Sequence, residues 1–213
     1  SGVGWLPIPV VHGMTLGELA MMINGEKWLT NGIQCDITVI KCKNYTHESM
    51  YTLPVKPSPN LPDMRSIYLY PSTCYFEATP VSLGRGTDKA FQMYGHPNMK
   101  GYSFSFTPRS IPGAKFPPQL NKECFGVDLR TTPSIEEINK TGINLEYVID
   151  AYKNLNLDDH FFRSFFELLI GKSYVRKMIM EGKSAAEIKA MWADDVVKFK
   201  QQRKPYLLYP SKD

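Results

Sequence analysis

Cysteine is scarce in this 213-residue chain: Cys35, Cys42, Cys74 and Cys124 are all there is, and no pair has CxxC spacing. That excludes a disulfide-dense scaffold and a structural zinc site. If Cys35 and Cys42 share one strand, they lie about 23 Å apart on opposite faces, which forbids a bond between them. Buried free thiols are the expected state. His12, His47, His96 and His160 form no HExxH or HxH group, so no metal is expected, and without a Walker loop or dinucleotide fingerprint no cofactor is either. No apolar run approaches the ~20 residues that span a bilayer. The 25 Lys and Arg against 21 Asp and Glu leave a net charge of only +4. Scattered as it is, that charge excludes a dedicated nucleic-acid binder. A basic-then-apolar leader and an initiating Met are lacking too, and Ser1-Gly2-Val3-Gly4 reads as the interior of a longer protein.

What is present suits a globular chain, with 43% hydrophobic and 22% charged residues. A chain of this mass buries roughly 70% of its unfolded surface. Of 16 prolines, only Pro205 and Pro210 follow residue 133. Proline fixes φ and removes a donor, so residues 1–133 should be loops, short strands and short helices, and 134–213 helical. The expected fold is α+β: a mixed first half carrying the motif loops, with the helical half packed on it.

Thr15-Leu16-Gly17-Glu18 has the form of a capping box and predicts a helix to Asn24-Gly25. Alternation predicts strands over Ile33 to Cys42, Tyr102 to Phe106 and Cys124 to Leu129, and Pro62 can precede a short helix over Asp63 to Tyr70. In the second half, helices should open at Ser134, at Asn144, across His160 to Ile170 with Gly171 as stop, at Ser173, and at the Ser184-to-Glu187 box. The last should run through Phe199, its apolar spacing a packing stripe, and the basic Lys198-to-Lys204 stretch a solvated helix end.

Chemistry concentrates between Leu53 and Thr87. Pro57-Ser58-Pro59-Asn60-Leu61-Pro62 fixes one polar side chain, Asn60, between prolines, which suits either a ligand contact or a turn. In Gly84-Arg85-Gly86 the glycines permit positive φ and close approach, while Arg85 offers a planar fork of donors. That fork fits a carboxylate or phosphate, or an internal acid such as Glu77 or Asp88. Glu77 follows Tyr75 and Phe76. Apolar surroundings would raise its pKa and make it an acid or base; pairing with Arg85 would lower it. One carboxylate is short of the two that glycoside hydrolysis ordinarily uses. His12, just before the first capped helix, can stay neutral and meet a ligand hydroxyl, or simply build the turn.

These residues carry a resemblance. The Ile8-to-Glu18 run, Pro57-to-Pro62, Tyr70 to Thr87 with its GRGT, Lys183-Ser184-Ala185-Ala186-Glu187-Ile188 and Tyr206-Leu207-Leu208-Tyr209-Pro210 resemble the NamZ/YbbC-like family. That family, long a domain of unknown function, contains exo-β-N-acetylmuramidases. The resemblance implies a C-terminal domain without the family's N-terminal Rossmann-like partner domain, which would hold most of the acidic machinery. It implies release of N-acetylmuramic acid from non-reducing ends of peptidoglycan fragments, at an exported, periplasmic or extracellular location. The alternative is a non-catalytic module that binds peptidoglycan sugar or braces the partner domain. On the enzyme reading, Glu77 is the catalytic residue, and His12, Ser58, Asn60, Arg85 and Thr87 bind substrate. Arg85 is matched to the lactyl carboxylate of N-acetylmuramic acid. His12, Asn60, Glu77 and Arg85 should then share one concave face.

Overall fold

The computed structural model describes residues 4–211, so most of the Ser1-to-Gly4 reading falls outside the described residues. Close packing divides the chain into a larger unit built on Thr52–Ile188 and a smaller one that joins Trp5–Tyr51 to the chain from Lys189 onward. The grouping cuts across residue 133, because the first and last stretches pack together. Among the described residues the architecture is mixed α and β, with eight α-helices and one three-stranded sheet. None of the helices is long and apolar enough to cross a membrane.

In the smaller unit, α1 (Leu16–Gly25) starts where its capping box predicts. Thr15 accepts from the Glu18 N–H, and the Glu18 carboxylate accepts from the Thr15 N–H. The chain returns in α8 (Ala193–Arg203) and a closing 3-10 turn, Lys204–Tyr206. Tyr206 donates to Glu26 at 2.9 Å, and its ring fills the space that a side chain at Gly25 would need.

The strand expected over Ile33 to Cys42 does not form. The segment is irregular, and Asp36 to Ile40 make no backbone hydrogen bond among the described residues. Alternation supplies a face, but a strand also needs a neighbour to pair with. At one end the Asn24 amide imitates such a neighbour, accepting from the Cys35 N–H at 2.6 Å and donating to its carbonyl at 3.0 Å. Cys35 and Cys42 are consequently exposed, and only Cys74 and Cys124 are buried thiols.

In the larger unit, Asp63 caps α2 (Met64–Thr73), which continues through Pro71 instead of ending at Tyr70. A 3-10 turn, Cys74–Ala78, follows directly. The sheet is β1 (Met93–His96), β2 (Phe104–Phe106) and β3 (Cys124–Asp128), ordered β1-β3-β2 and antiparallel throughout. The register sets Gly95 opposite Gly126. Glycine is required there, because a Cβ on Gly126 would run into the Tyr94 carbonyl. β1 lacks the alternation that marks the other two strands: all four of its residues are buried.

Helices α3 (Ile135–Thr141), α4 (Glu146–Leu155), α5 (Phe166–Ile170), α6 (Tyr174–Met180) and α7 (Ala185–Ala190) follow. The apolar His160-to-Ile170 stretch is α-helical only from Phe166, with His160 closing a 3-10 turn, Asp158–His160. Residues 161–165 give up helix to place Phe161, Phe162 and Phe166 in the core, and the Arg163 N–H reaches the Ala78 carbonyl at 2.9 Å. Burying one such ring is worth roughly 1.5–3 kcal/mol, enough to override local propensity. Rings stack from Phe76 to Tyr94 at 4.8 Å and meet edge-on from Phe162 to Phe166 at 4.6 Å.

Candidate functional site

Glu77 projects from the 3-10 turn, whose neighbours Tyr75 and Phe76 are buried in the core. The two aromatics therefore anchor the turn, and Glu77, the half-buried member, is left at the surface of the larger unit. Arg85 comes from the turn Gly84–Thr87, closed by the Thr87 N–H on the Gly84 carbonyl at 3.0 Å. Both glycines have positive φ, +70° and +87°. The space beside them is filled by protein: a Cβ at Gly84 would strike Met93, and one at Gly86 the Arg109 carbonyl and Pro117. Their freedom serves the packing of the turn, not the approach of a ligand.

The Arg85 guanidinium lies 3.8 Å from the Glu77 carboxylate, with the two side chains 34% and 28% exposed. That separation exceeds a direct hydrogen bond, so the pair is loose. The Arg85 Nε is buried without an acceptor among the described residues. Of the two internal acids that sequence offered Arg85, the structure supplies Glu77. Burial pushes the Glu77 carboxyl above its ordinary range, and the Arg85 charge only partly offsets this. The same burial, helped by the Glu77 charge, pushes the Cys74 thiol up to about 12. Cys74 is therefore not a nucleophile. The outcome is a carboxyl with a raised pKa beside a cation whose Nε is unspent.

A loop from Arg109 to Gln119 is stapled to the stretches that carry these groups. The Arg109 N–H donates to the Gly86 carbonyl at 2.9 Å, and Gln119 Nε2 donates to the Pro80 carbonyl at 2.9 Å. Asn60 Nδ2 donates to the Gly113 carbonyl at 3.3 Å, while Pro59 packs where a Gly113 side chain would sit. Asn60, Glu77 and Arg85 are thus linked through one loop. Sequence reading passed over this loop, whose Pro112-Gly113 and Pro117-Pro118 dipeptides are ordinary turn signals.

Ser58 and Thr87 are already engaged. The Ser58 hydroxyl accepts from the Asn60 N–H at 3.2 Å. The Thr87 hydroxyl donates to the Gly84 carbonyl at 2.7 Å and accepts from the Lys89 N–H at 3.2 Å. Both shape the turns that present their neighbours.

His12 belongs to the smaller unit. Its Nδ1 accepts from the Met14 N–H at 3.2 Å, and burial, then the Arg203 charge, holds its pKa below the usual value. Arg203 is not part of a solvated helix end: it is 7% exposed. Its Nη1 donates to the carbonyls of His12 and Gly13 at 2.8 and 2.7 Å. Glu18 is fully buried, which its capping-box role did not foretell. It accepts from the Thr15 and Leu208 N–H groups at 2.7 and 2.6 Å and meets His47 Nε2 at 3.0 Å. Burial alone would raise its pKa; these bonds more than reverse that.

With this geometry in view, known proteins supply the context. Residues 68–209 match the C-terminal family model of the exo-β-N-acetylmuramidase NamZ. Residues 1–65 match the N-terminal model of the same family. The expectation that the chain is purely C-terminal is corrected accordingly: the motifs behind the resemblance run through both regions. The chain is 37% identical to the peptidoglycan β-N-acetylmuramidase NamZ of Bacillus subtilis (strain 168), over 98% of its own length and 53% of that protein's. It therefore spans about half the length of this curated relative. A crystal structure of a DUF1343 family protein from Bacteroides fragilis superposes with a TM-score of 0.97 at 70% identity, over 100% of this chain and 60% of that one. A second DUF1343 protein from the same organism shares the fold at a TM-score of 0.74 and 22% identity, over 95% and 58% of the two chains.

Proposed function

Because the chain belongs to the NamZ family of exo-β-N-acetylmuramidases, we propose that it forms the saccharide-binding, acid-bearing part of a peptidoglycan glycoside hydrolase that releases N-acetylmuramic acid from non-reducing ends. The loose Glu77–Arg85 pair carries this reading. A tight pair would be structural, whereas this one keeps a protonatable carboxyl and free guanidinium donors side by side. Glu77, its pKa raised, is suited to protonate a leaving glycosidic oxygen. Arg85 is suited to take the lactyl carboxylate, and Asn60 a sugar hydroxyl or amide. The B. subtilis relative, named as a peptidoglycan β-N-acetylmuramidase, supports the substrate class, and such a substrate implies an exported protein.

Arg85→Lys tests the assignment, since lysine keeps the charge and loses the fork. It should weaken N-acetylmuramic acid glycosides about tenfold relative to N-acetylglucosamine analogues, which lack the lactyl group. An unchanged affinity ratio with a lowered melting temperature would make Arg85 a structural residue.

A second reading, a non-catalytic peptidoglycan-sugar module, draws on the single candidate carboxyl and on the chain covering 53% of its relative. Glu77→Gln separates the two. In the full-length protein it abolishes turnover and spares sugar binding if Glu77 is the acid; if the chain is a binding module it changes neither.

A further inference from the structure

Phe116 is 89% exposed, while its neighbours in the same loop, Ala114 and Pro117, are buried. An exposed ring on a loose tail would mean little, but this loop is held firmly. Ile111 and Ala114 exchange hydrogen bonds at 3.3 and 3.0 Å, and the Asn121 N–H closes on the Pro108 carbonyl at 2.8 Å. Pro108, Pro112, Pro117 and Pro118 remove backbone freedom. Gln119 adopts φ +60°, a left-handed conformation unusual for its type, and from it reaches the Pro80 carbonyl. The loop's anchors are Gly86, next to Arg85; Pro80, three residues beyond Glu77; and Asn60. Lys115, also exposed, makes no hydrogen bond or ion pair among the described residues.

We propose that Phe116 is a stacking platform for a saccharide ring held at the Glu77–Arg85 site, with Lys115 as a second cation for an acidic sugar. This rests on the saccharide reading above and adds a subsite to it. A pyranose has an apolar C–H face and a polar rim. An aromatic face takes the former, and placed donors and charges take the latter. A loop backbone held before binding forfeits little loop entropy when the sugar arrives, which is where a ring on an anchored loop gains over one on a flexible tail. Stacking reads the ring whatever its substituents, whereas Arg85 and Lys115 read the lactyl carboxylate. The two kinds of contact therefore have separable signatures.

The test is saturation-transfer NMR titration of the 213-residue chain with the methyl β-glycosides of N-acetylmuramic acid and N-acetylglucosamine. Phe116→Ala should weaken both sugars about three- to tenfold, leaving their ratio and the melting temperature unchanged. Phe116→Trp should restore affinity, with indole fluorescence that shifts on sugar binding. Lys115→Ala should weaken the muramic glycoside alone. Sugar affinities unchanged within about twofold in Phe116→Ala, while Arg85→Lys still alters the ratio, would overturn the platform and leave the proposed function standing. The platform would likewise fall if Phe116→Ala altered self-association of the chain without touching sugar affinity, which would mark the ring as a protein contact. Absence of binding of either sugar by the wild-type chain would overturn the saccharide reading and the platform with it.

Discussion

Glu77 is partly and Glu18 wholly withdrawn from water, and their partners send them in opposite directions. Glu77 meets one distant guanidinium and its pKa rises; Glu18 collects N–H donors and a histidine and its pKa falls. Ionised Glu77 is therefore a liability to the fold, with a stability penalty that is absent below about pH 4 and sets in as pH climbs through its raised value. Glu77→Gln should unfold at a higher urea concentration than wild type at pH 7, a difference that vanishes at low pH. Glu18 contributes in the other sense: its stabilisation is complete above its unfolded value of 4.5 and disappears as pH falls through the lower folded value. Glu18→Gln should destabilise the chain at pH 7 by about 1–3 kcal/mol, since it weakens charge-assisted bonds to buried N–H groups, and the gap should narrow under acid. Urea melts across pH 3 to 7 check both residues.

At the level of elements, caps and glycines carry measurable stability. Thr15→Ala removes a side-chain acceptor from the start of α1 and should cost about 1 kcal/mol by urea denaturation. Gly86→Ala should cost more, roughly 1–3 kcal/mol, because φ is +87° and the added methyl meets the Arg109 backbone. The Arg109-to-Gln119 loop should then loosen, and sugar binding with it. The irregular segment around Asp36 to Ile40 makes a contrasting element. Its amides lack acceptors among the described residues, so in this chain they should exchange with solvent deuterium at close to the free rate. Amides of β3, paired on both sides, should be protected by many orders of magnitude.

For the whole molecule, burial sorts the four thiols into two classes. Cys35 and Cys42 are exposed, while burial pushes both Cys74 and Cys124 up to about 12. Under native conditions at pH 8 a chromogenic disulfide should titrate two thiols per chain promptly, and four only after denaturation. Rapid native reaction of all four would show that the aromatic core around Tyr75, Phe76 and Phe166 opens readily. The same core sets the site: by burying Tyr75 and Phe76 it leaves Glu77 to the surface beside the Gly84–Thr87 turn.

Much of the fold was legible in the sequence because it is decided within a few residues. The Thr15, Ser134 and Ser184 boxes open helices through contacts three residues long, Gly171 ends α5 in a left-handed conformation, and alternation marked β2 and β3. The polar motifs that hold Asn60, Glu77 and Arg85 could be picked out for a related reason, since prolines and glycines announce constrained turns. Other features depend on residues far apart in the chain. Ile37 and Val39 advertise a strand, but pairing requires a neighbour that local pattern cannot supply. Residues 161–165 read as helix until the core claims their rings. Arg203 looks like a solvated base until the carbonyls of His12 and Gly13, some 190 positions away, take its donors. Whether Arg85 binds Glu77 tightly or loosely was likewise beyond sequence, because a few tenths of an ångström in side-chain placement separate a closed ion pair from an open one, and only tertiary packing sets that distance.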